Sequence, residues 1–218
     1  MLSTRAASLG VVVTDRAAAR VVIEQLYAAH HAEIYAYLSR MLRDHELAAD
    51  LAQETFVKAF RAFDTLADRG RARAWLYQIA GRTALDELRR RKIVRFVPWS
   101  GESRGSGASA EEMALHGRLS AEMERALAQM PARQRQALLM AEVHELTGLE
   151  LADALGVSHV AARALLTRAR ESLRQALAVE RARTAVEYGR SRALDGRRAA
   201  DGATASLPTD DRPGADDR

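Results

Sequence analysis

The chain reads as all-α, with two small helical domains joined by a flexible linker and a helix-turn-helix as the second domain. Three observations lead there. Apolar residues recur at three- and four-residue spacing through most of positions 19–178. After Arg95 the stretch FVPWSGESRGSGASAEE interrupts that pattern, because Pro98 and a Gly/Ser cluster remove both helix propensity and apolar content. Further on, Thr147 with Glu150 forms a capping-box start, Gly156 supplies a turn and Ser158 caps the last helix of the motif. The implied division is a flexible lead-in over 1–18, a first domain over 19–95, a linker over 96–112, a second domain over 113–178 and a mostly disordered tail over 179–218.

The lead-in lacks caps and periodic pattern. From Arg20 an apolar stripe of Val22, Leu26, Ala29, Ile34, Tyr37, Leu38, Met41 and Leu42 predicts a helix, with an irregularity near His30-His31. That pair reads as surface rather than metal-binding, because neighbouring residues on a helix diverge by about 100 degrees and no ligand follows at four-residue spacing. Asp44 caps the next helix, Glu46 to Phe63. Its buried stripe is Leu47, Leu51, Thr55, Phe56, Ala59, Phe60 and Phe63, while Asp50, Gln53, Glu54, Val57 and Arg61 line another face. By pattern alone that second face is either solvated or a partner dock. A loop over 64–70 precedes the stretch from Arg73 to Arg95, which begins amphipathic, with Trp75, Leu76, Ile79, Ala80 and Thr83 on one face and Trp75 a core residue. It ends basic: five of the seven residues from Arg89 to Arg95 are Arg or Lys. A helix C-terminus favours cations, and a tip this basic suits a polyanion.

In the second block Leu119, Met123, Leu127 and Met130 form a stripe ended by Pro131, and a helix is expected from Ala132 to about His144. In the last helix of the helix-turn-helix Ala162, Leu166, Ala169 and Leu173 face the core. His159, Arg163, Thr167 and Arg170 lie on a neighbouring face as groove and phosphate contacts.

Totals narrow the function class. The chain has 218 residues, a formal net charge of +4 and no cysteine, which excludes disulfides, thiolate metal sites and cysteine nucleophiles. Residues 179–218 hold equal numbers of basic and acidic side chains, so the basic excess belongs to the body. No apolar run approaches a membrane span, and no phosphate loop, catalytic triad or paired-carboxylate motif is recognisable. The expectation is a cytoplasmic, non-enzymatic protein with no cofactor, no metal and no membrane insertion.

Three segments together resemble the extracytoplasmic-function group of bacterial RNA polymerase sigma factors, over about Val21 to Leu177. DLAQETFVKAFRAF (Asp50–Phe63) is similar to that family's core-polymerase-binding helix, and RAWLYQIAGRTALDELRRRK (Arg73–Lys92) to its promoter-melting helix. LTGLELADALGVSHVAARALLTRARESLR (Leu146–Arg174) resembles the helix-turn-helix that reads the upstream promoter element. The resemblance implies that Asp50, Gln53, Glu54 and Val57 dock on the clamp helices of the polymerase's largest subunit, with the flap of the second-largest subunit as a further contact. It implies downstream promoter contacts from Asp64, Arg69, Arg71, Arg82, Arg89, Arg90, Arg91 and Lys92. Upstream contacts would come from Ser158, His159, Arg163, Thr167, Arg168 and Arg170, and an anti-sigma factor is expected as regulator. Two positions depart from the family. Arg82 replaces a common asparagine, leaving a phosphate contact or a pair with Asp86 as its role, and Ala164 and Leu165 stand where Ser and Arg are common. The rival reading is a stand-alone helix-turn-helix repressor or activator with an N-terminal sensing or dimerisation domain. A helical adaptor that contacts only proteins is a further rival, disfavoured by the Arg89–Arg95 cluster.

Overall fold

The computed structural model describes the backbone of residues 3–66, 68–94 and 119–204, and the side chains of residues 16–66, 68–93 and 119–186. Seven α-helices and no strand occur among them. The linker and the last part of the tail lie outside the described residues.

Helix α1 (Ser3–Leu42) takes in most of the expected lead-in and passes through His30-His31 without a break. Ile34, Tyr37, Leu38 and Met41, one helical face, are fully buried. Arg43 turns the chain with a φ of 56°, and the Asp44 carboxylate accepts from the Leu47 amide at 3.0 Å to start α2 (His45–Arg61). The buried face of α2 is Ala48, Leu51, Ala52, Thr55, Phe56 and Ala59, an unbroken i, i+3, i+4, i+7 series. Phe60 belongs to the opposite margin and is 39% exposed, a correction to the expected stripe.

Two 3-10 turns, Phe63–Thr65 and Arg69–Arg71, lead into α3 (Ala72–Val94). This helix is the axis of the molecule and is packed on several sides. Thr83 meets α2, where the Lys58 ammonium donates to its hydroxyl at 3.0 Å. Tyr77 meets α1, its hydroxyl donating to Glu33 at 3.4 Å. Gly81 and Gln78 meet the second half of the chain. Trp75 is only partly buried, at the core's edge rather than inside it as its stripe predicts, because its indole N–H donates to Thr65 Oγ1 at 3.1 Å.

The second half comprises α4 (Ala121–Gln129), α5 (Ala132–Leu138), α6 (Gly148–Leu155) and α7 (His159–Thr204). Ser120 caps α4 through the Met123 amide, and Pro131 starts α5, whose first turn needs no proline N–H. Between Leu139 and Val143 the helix expected to run on to His144 widens into a π turn, with the His144 amide donating to the Leu139 carbonyl. Helix α7 continues to Thr204, well past Ala178. Glu180, only 2% exposed, holds the continuation to α4 through Arg125 at 2.7 Å and Gln129 at 2.5 Å.

One hydrophobic core runs through both halves. At the seam the rings of Tyr37, Tyr77 and His144 stack at 5.4–5.8 Å. Arg73 ties three segments together, pairing with Glu33 at 3.0 Å and donating to the His144 carbonyl at 2.6 Å. The Glu33 carboxyl is partly buried, which by itself would raise its pKa. Hydrogen bonds from His30 and Arg73, with their charges, outweigh that and bring it down to about 2. The seam is tight at Gly81: a Cβ there would lie 2.1 Å from Nε2 of Gln136, a side chain that is itself 1% exposed and would have to shift. Buried in the same region, Gln136 Oε1 and Arg135 Nε have no hydrogen-bond partner among the described protein groups.

Candidate nucleic-acid interface

The outer face of α2 carries Asp50, Gln53, Glu54 and Val57, all exposed, with Val57 at 48%. Glu54 pairs with Lys58 at 2.8 Å. Phe60 and the half-exposed Tyr27 of α1 add apolar surface to this side; Tyr27 stacks edge-on against Phe56 at 4.9 Å. Periodicity places Phe60 in the core and gives Tyr27 no role, so this part of the surface is visible only in the fold. The strip is acidic and polar at one end and apolar at the other, a composition suited to a protein partner.

The turn before α3 is ordered by Asp68, whose carboxylate accepts from the Gly70 amide at 2.8 Å. Asp64 and Arg69 are exposed there. Arg71 reaches across to Asp153 at 3.1 Å, and Gln78 Nε2 donates to the Asp153 carbonyl at 3.0 Å. Arg82 extends toward Gly156, the left-handed residue that closes α6. Asp86, the alternative partner expected for Arg82, pairs with Arg89 at 2.8 Å. Between these groups lies a cleft of about 710 Å³ lined by Thr65, Leu66, Arg71, Trp75, Asp153 and Ser158 among others. The two segments expected to touch separate promoter elements thus face each other across one cleft.

The basic end of α3 is more neutralised than its composition suggests. Arg90 pairs with Glu87 at 2.8 Å, and Arg91 pairs with Glu87 at 3.0 Å and with Asp44 at 2.6 Å. Arg91 therefore braces the cap of α2 from the far end of α3. Lys92 is exposed, and no ion pair to a described residue occupies it.

In the helix-turn-helix the capping box is complete: the Thr147 amide and hydroxyl both donate to Glu150 at 2.8 Å, and the Glu150 amide donates back to Thr147 Oγ1 at 3.4 Å. Gly156 has φ 63°, where a Cβ would be strained, and Ser158 Oγ accepts from the Ala161 amide at 3.2 Å to start α7. Ala162 and Ala169 are buried as expected, with Leu166 and Leu173 partly so. The His159 ring lies against Gly148, where a Cβ would sit 2.7 Å from its Nε2. Arg163 is exposed; Thr167 Oγ1 donates to the Arg163 carbonyl at 3.0 Å, and Arg168 Nε to the Ala164 carbonyl at 3.3 Å. Arg170 is turned to Glu142 on the π turn, at 2.6 Å, rather than outward with Arg163. Among the described residues no group of three or more acidic or histidine side chains is placed to hold a metal ion, and no helix is long and apolar enough to cross a membrane.

A helix-turn-helix packed against a helical domain whose α2 presents an exposed, acidic-to-apolar strip is the architecture of a DNA-binding transcription factor. Profiles of sigma-70 region 2 and of sigma-70 region 4 match residues 26–93 and 120–173. The RNA polymerase sigma factor YlaC of Bacillus subtilis is 31% identical over 156 residues, 70% of this chain and 90% of that protein. The ECF RNA polymerase sigma factor SigM of the same organism is 26% identical, over 71% of this chain and 94% of that protein. Among solved structures, the sigma factor RpoE in complex with the anti-sigma factor NepR from Bartonella quintana shares the fold, with a TM-score of 0.56 and 22% identity over 72% of this chain and 96% of that one. The chain belongs to the extracytoplasmic-function group of the sigma-70 family. Its function is that of a sigma factor, which binds core RNA polymerase and directs promoter recognition and the start of transcription.

Proposed function

We propose that the protein engages polymerase through the α2 strip of Asp50, Gln53, Glu54 and Val57, and promoter DNA through three separate sets of residues. The turn before α3, with Asp64, Arg69 and Arg71, takes an extruded base of the downstream element. Arg82, Arg89 and Lys92 on α3 hold its backbone, and the outward face of α7 reads the upstream duplex. The protein itself makes and breaks no covalent bond and works in the cytoplasm, where its polymerase is.

The observation that carries this reading is the contrast within α2. One face is fully packed on the core, and the other keeps four polar or apolar side chains exposed in register over two turns. A purely solvated face has no need of Val57 and Phe60.

The described arrangement is a closed one. Arg71 and Gln78 are engaged with Asp153 and Arg82 is directed at Gly156, so the helix-turn-helix stands beside the downstream contacts, whose side chains stay largely open to solvent. Such a form suits an anti-sigma factor that holds the two halves together, and it must part when polymerase and promoter bind.

Run-off transcription with purified core polymerase on genomic fragments tests the whole reading. Defined start sites that depend on this chain are expected; transcripts no different from core alone would sink it. Tight operator binding by the chain without polymerase would instead support the stand-alone regulator.

A further inference from the structure

Helix α7 meets the upstream duplex with a face that is apolar where a base reader is ordinarily polar. Val160, Arg163, Ala164 and Thr167 stand at i, i+3, i+4 and i+7, one face of the helix, and all four are exposed. At 77% exposure Val160 is the most open of the large apolar side chains among the described residues. A β-branched apolar residue in a solvent-facing first turn brings neither helix propensity nor solubility, so the position lacks a local reason. Thr167 adds to the effect: its hydroxyl is spent on the Arg163 carbonyl at 3.0 Å, which leaves its methyl as the free part. His159 is folded onto Gly148 and Arg170 is held by Glu142, so neither competes for that face. Arg163 and Arg168 flank it with positive charge, which fits a polyanion and disfavours an apolar protein groove as occupant.

In the major groove of DNA the one apolar feature is the C5-methyl group of thymine, and valine, alanine and threonine methyls offer van der Waals contact and no hydrogen bond. We propose that α7 selects its upstream element by packing Val160, Ala164 and the Thr167 methyl against thymine methyls, with Arg163 as the single hydrogen-bonding reader beside them. The inference rests on the sigma-factor reading of α7 as the upstream-duplex helix. Val160, in the first turn, is the specificity-determining residue, since recognition helices enter the groove by their N-terminal part.

The test uses the full chain with core polymerase on a promoter obtained by run-off selection. Each thymine of the upstream segment is replaced in turn by deoxyuridine, which keeps the base pair and removes only the methyl. Open-complex formation should fall roughly fourfold at one or more positions, the loss expected for one buried methyl. With Val160→Ala the penalty at one of those positions should shrink to near none, while an Arg163→Ala chain keeps it. Deoxyuridine that is silent throughout, or a penalty unchanged in Val160→Ala, overturns the inference while leaving the sigma-factor function standing. A holoenzyme that initiates nowhere would take down both. Because Val160 is open to solvent, Val160→Ala tests contact rather than folding.

Discussion

Arg91 and Lys92 are neighbours with different duties. Arg91 spans from the tip of α3 to Asp44 at 2.6 Å and Glu87 at 3.0 Å, whereas Lys92 is exposed. Arg91→Ala should cost ~1 kcal/mol, the scale of a half-exposed ion pair on a helix cap, and lower the thermal midpoint by about 2–4 °C. Lys92→Ala should leave that midpoint in place and reduce the slope of log affinity for promoter DNA against log salt by about 1, measured on the holoenzyme. Glu33 gives the residue scale its pH dependence. Its folded pKa of about 2 lies below the ordinary carboxyl value of 4.5, so its stabilisation is full above 4.5 and drains away as pH falls from there through 2. The amount is on the order of 3 kcal/mol. Denaturant midpoints followed down that range should drop for the natural chain and stay flatter for Glu33→Gln, which starts lower.

Elements differ in how openly the sequence displays them. The α2 cap at Asp44, the capping box, the Gly156 turn and the Ser158 cap are local chemistry, and each is in place because its partners lie within four residues. Helix α3 is another matter. Its apolar stripe is readable, but Gly81, Gln78 and Arg73 meet residues 55 to 75 positions away, and periodicity contains no information on such partners. The same distance hides the neutralisation of Arg91 by Asp44. At both ends the apolar pattern understates the helix, since α1 and α7 continue through segments with little to bury; the buried Glu180, with Arg181 paired to Glu122, pins α7 to α4 beyond Ala178. For α2 the outward strip is legible from register alone, although which partner it meets comes from resemblance. Changing Asp50 and Glu54 together to Arg should abolish capture of the chain by immobilised core polymerase, with stability within ~0.5 kcal/mol because both side chains are exposed. Retained capture would remove α2 from the docking surface.

The molecule as a whole is two helical halves folded onto one another about α3. Gly81→Ala is the lever on that arrangement, because the added methyl meets Gln136 at 2.1 Å and touches no residue assigned to DNA or polymerase. The seam should loosen: the radius of gyration measured by small-angle scattering should rise, and cleavage in the linker region should accelerate. An unchanged scattering profile would show that Gln136 and Met140 simply repack. The buried Gln136 Oε1 and Arg135 Nε near the same seam have a further consequence. Opening the seam brings these polar atoms, and the core surface around them, into contact with solvent. Parting the halves is therefore a hydration reaction, in which water is a reactant taken up by the protein. Sucrose or another excluded osmolyte, by lowering water activity, should hold the halves together and slow open-complex formation, and dilute buffer should do the reverse.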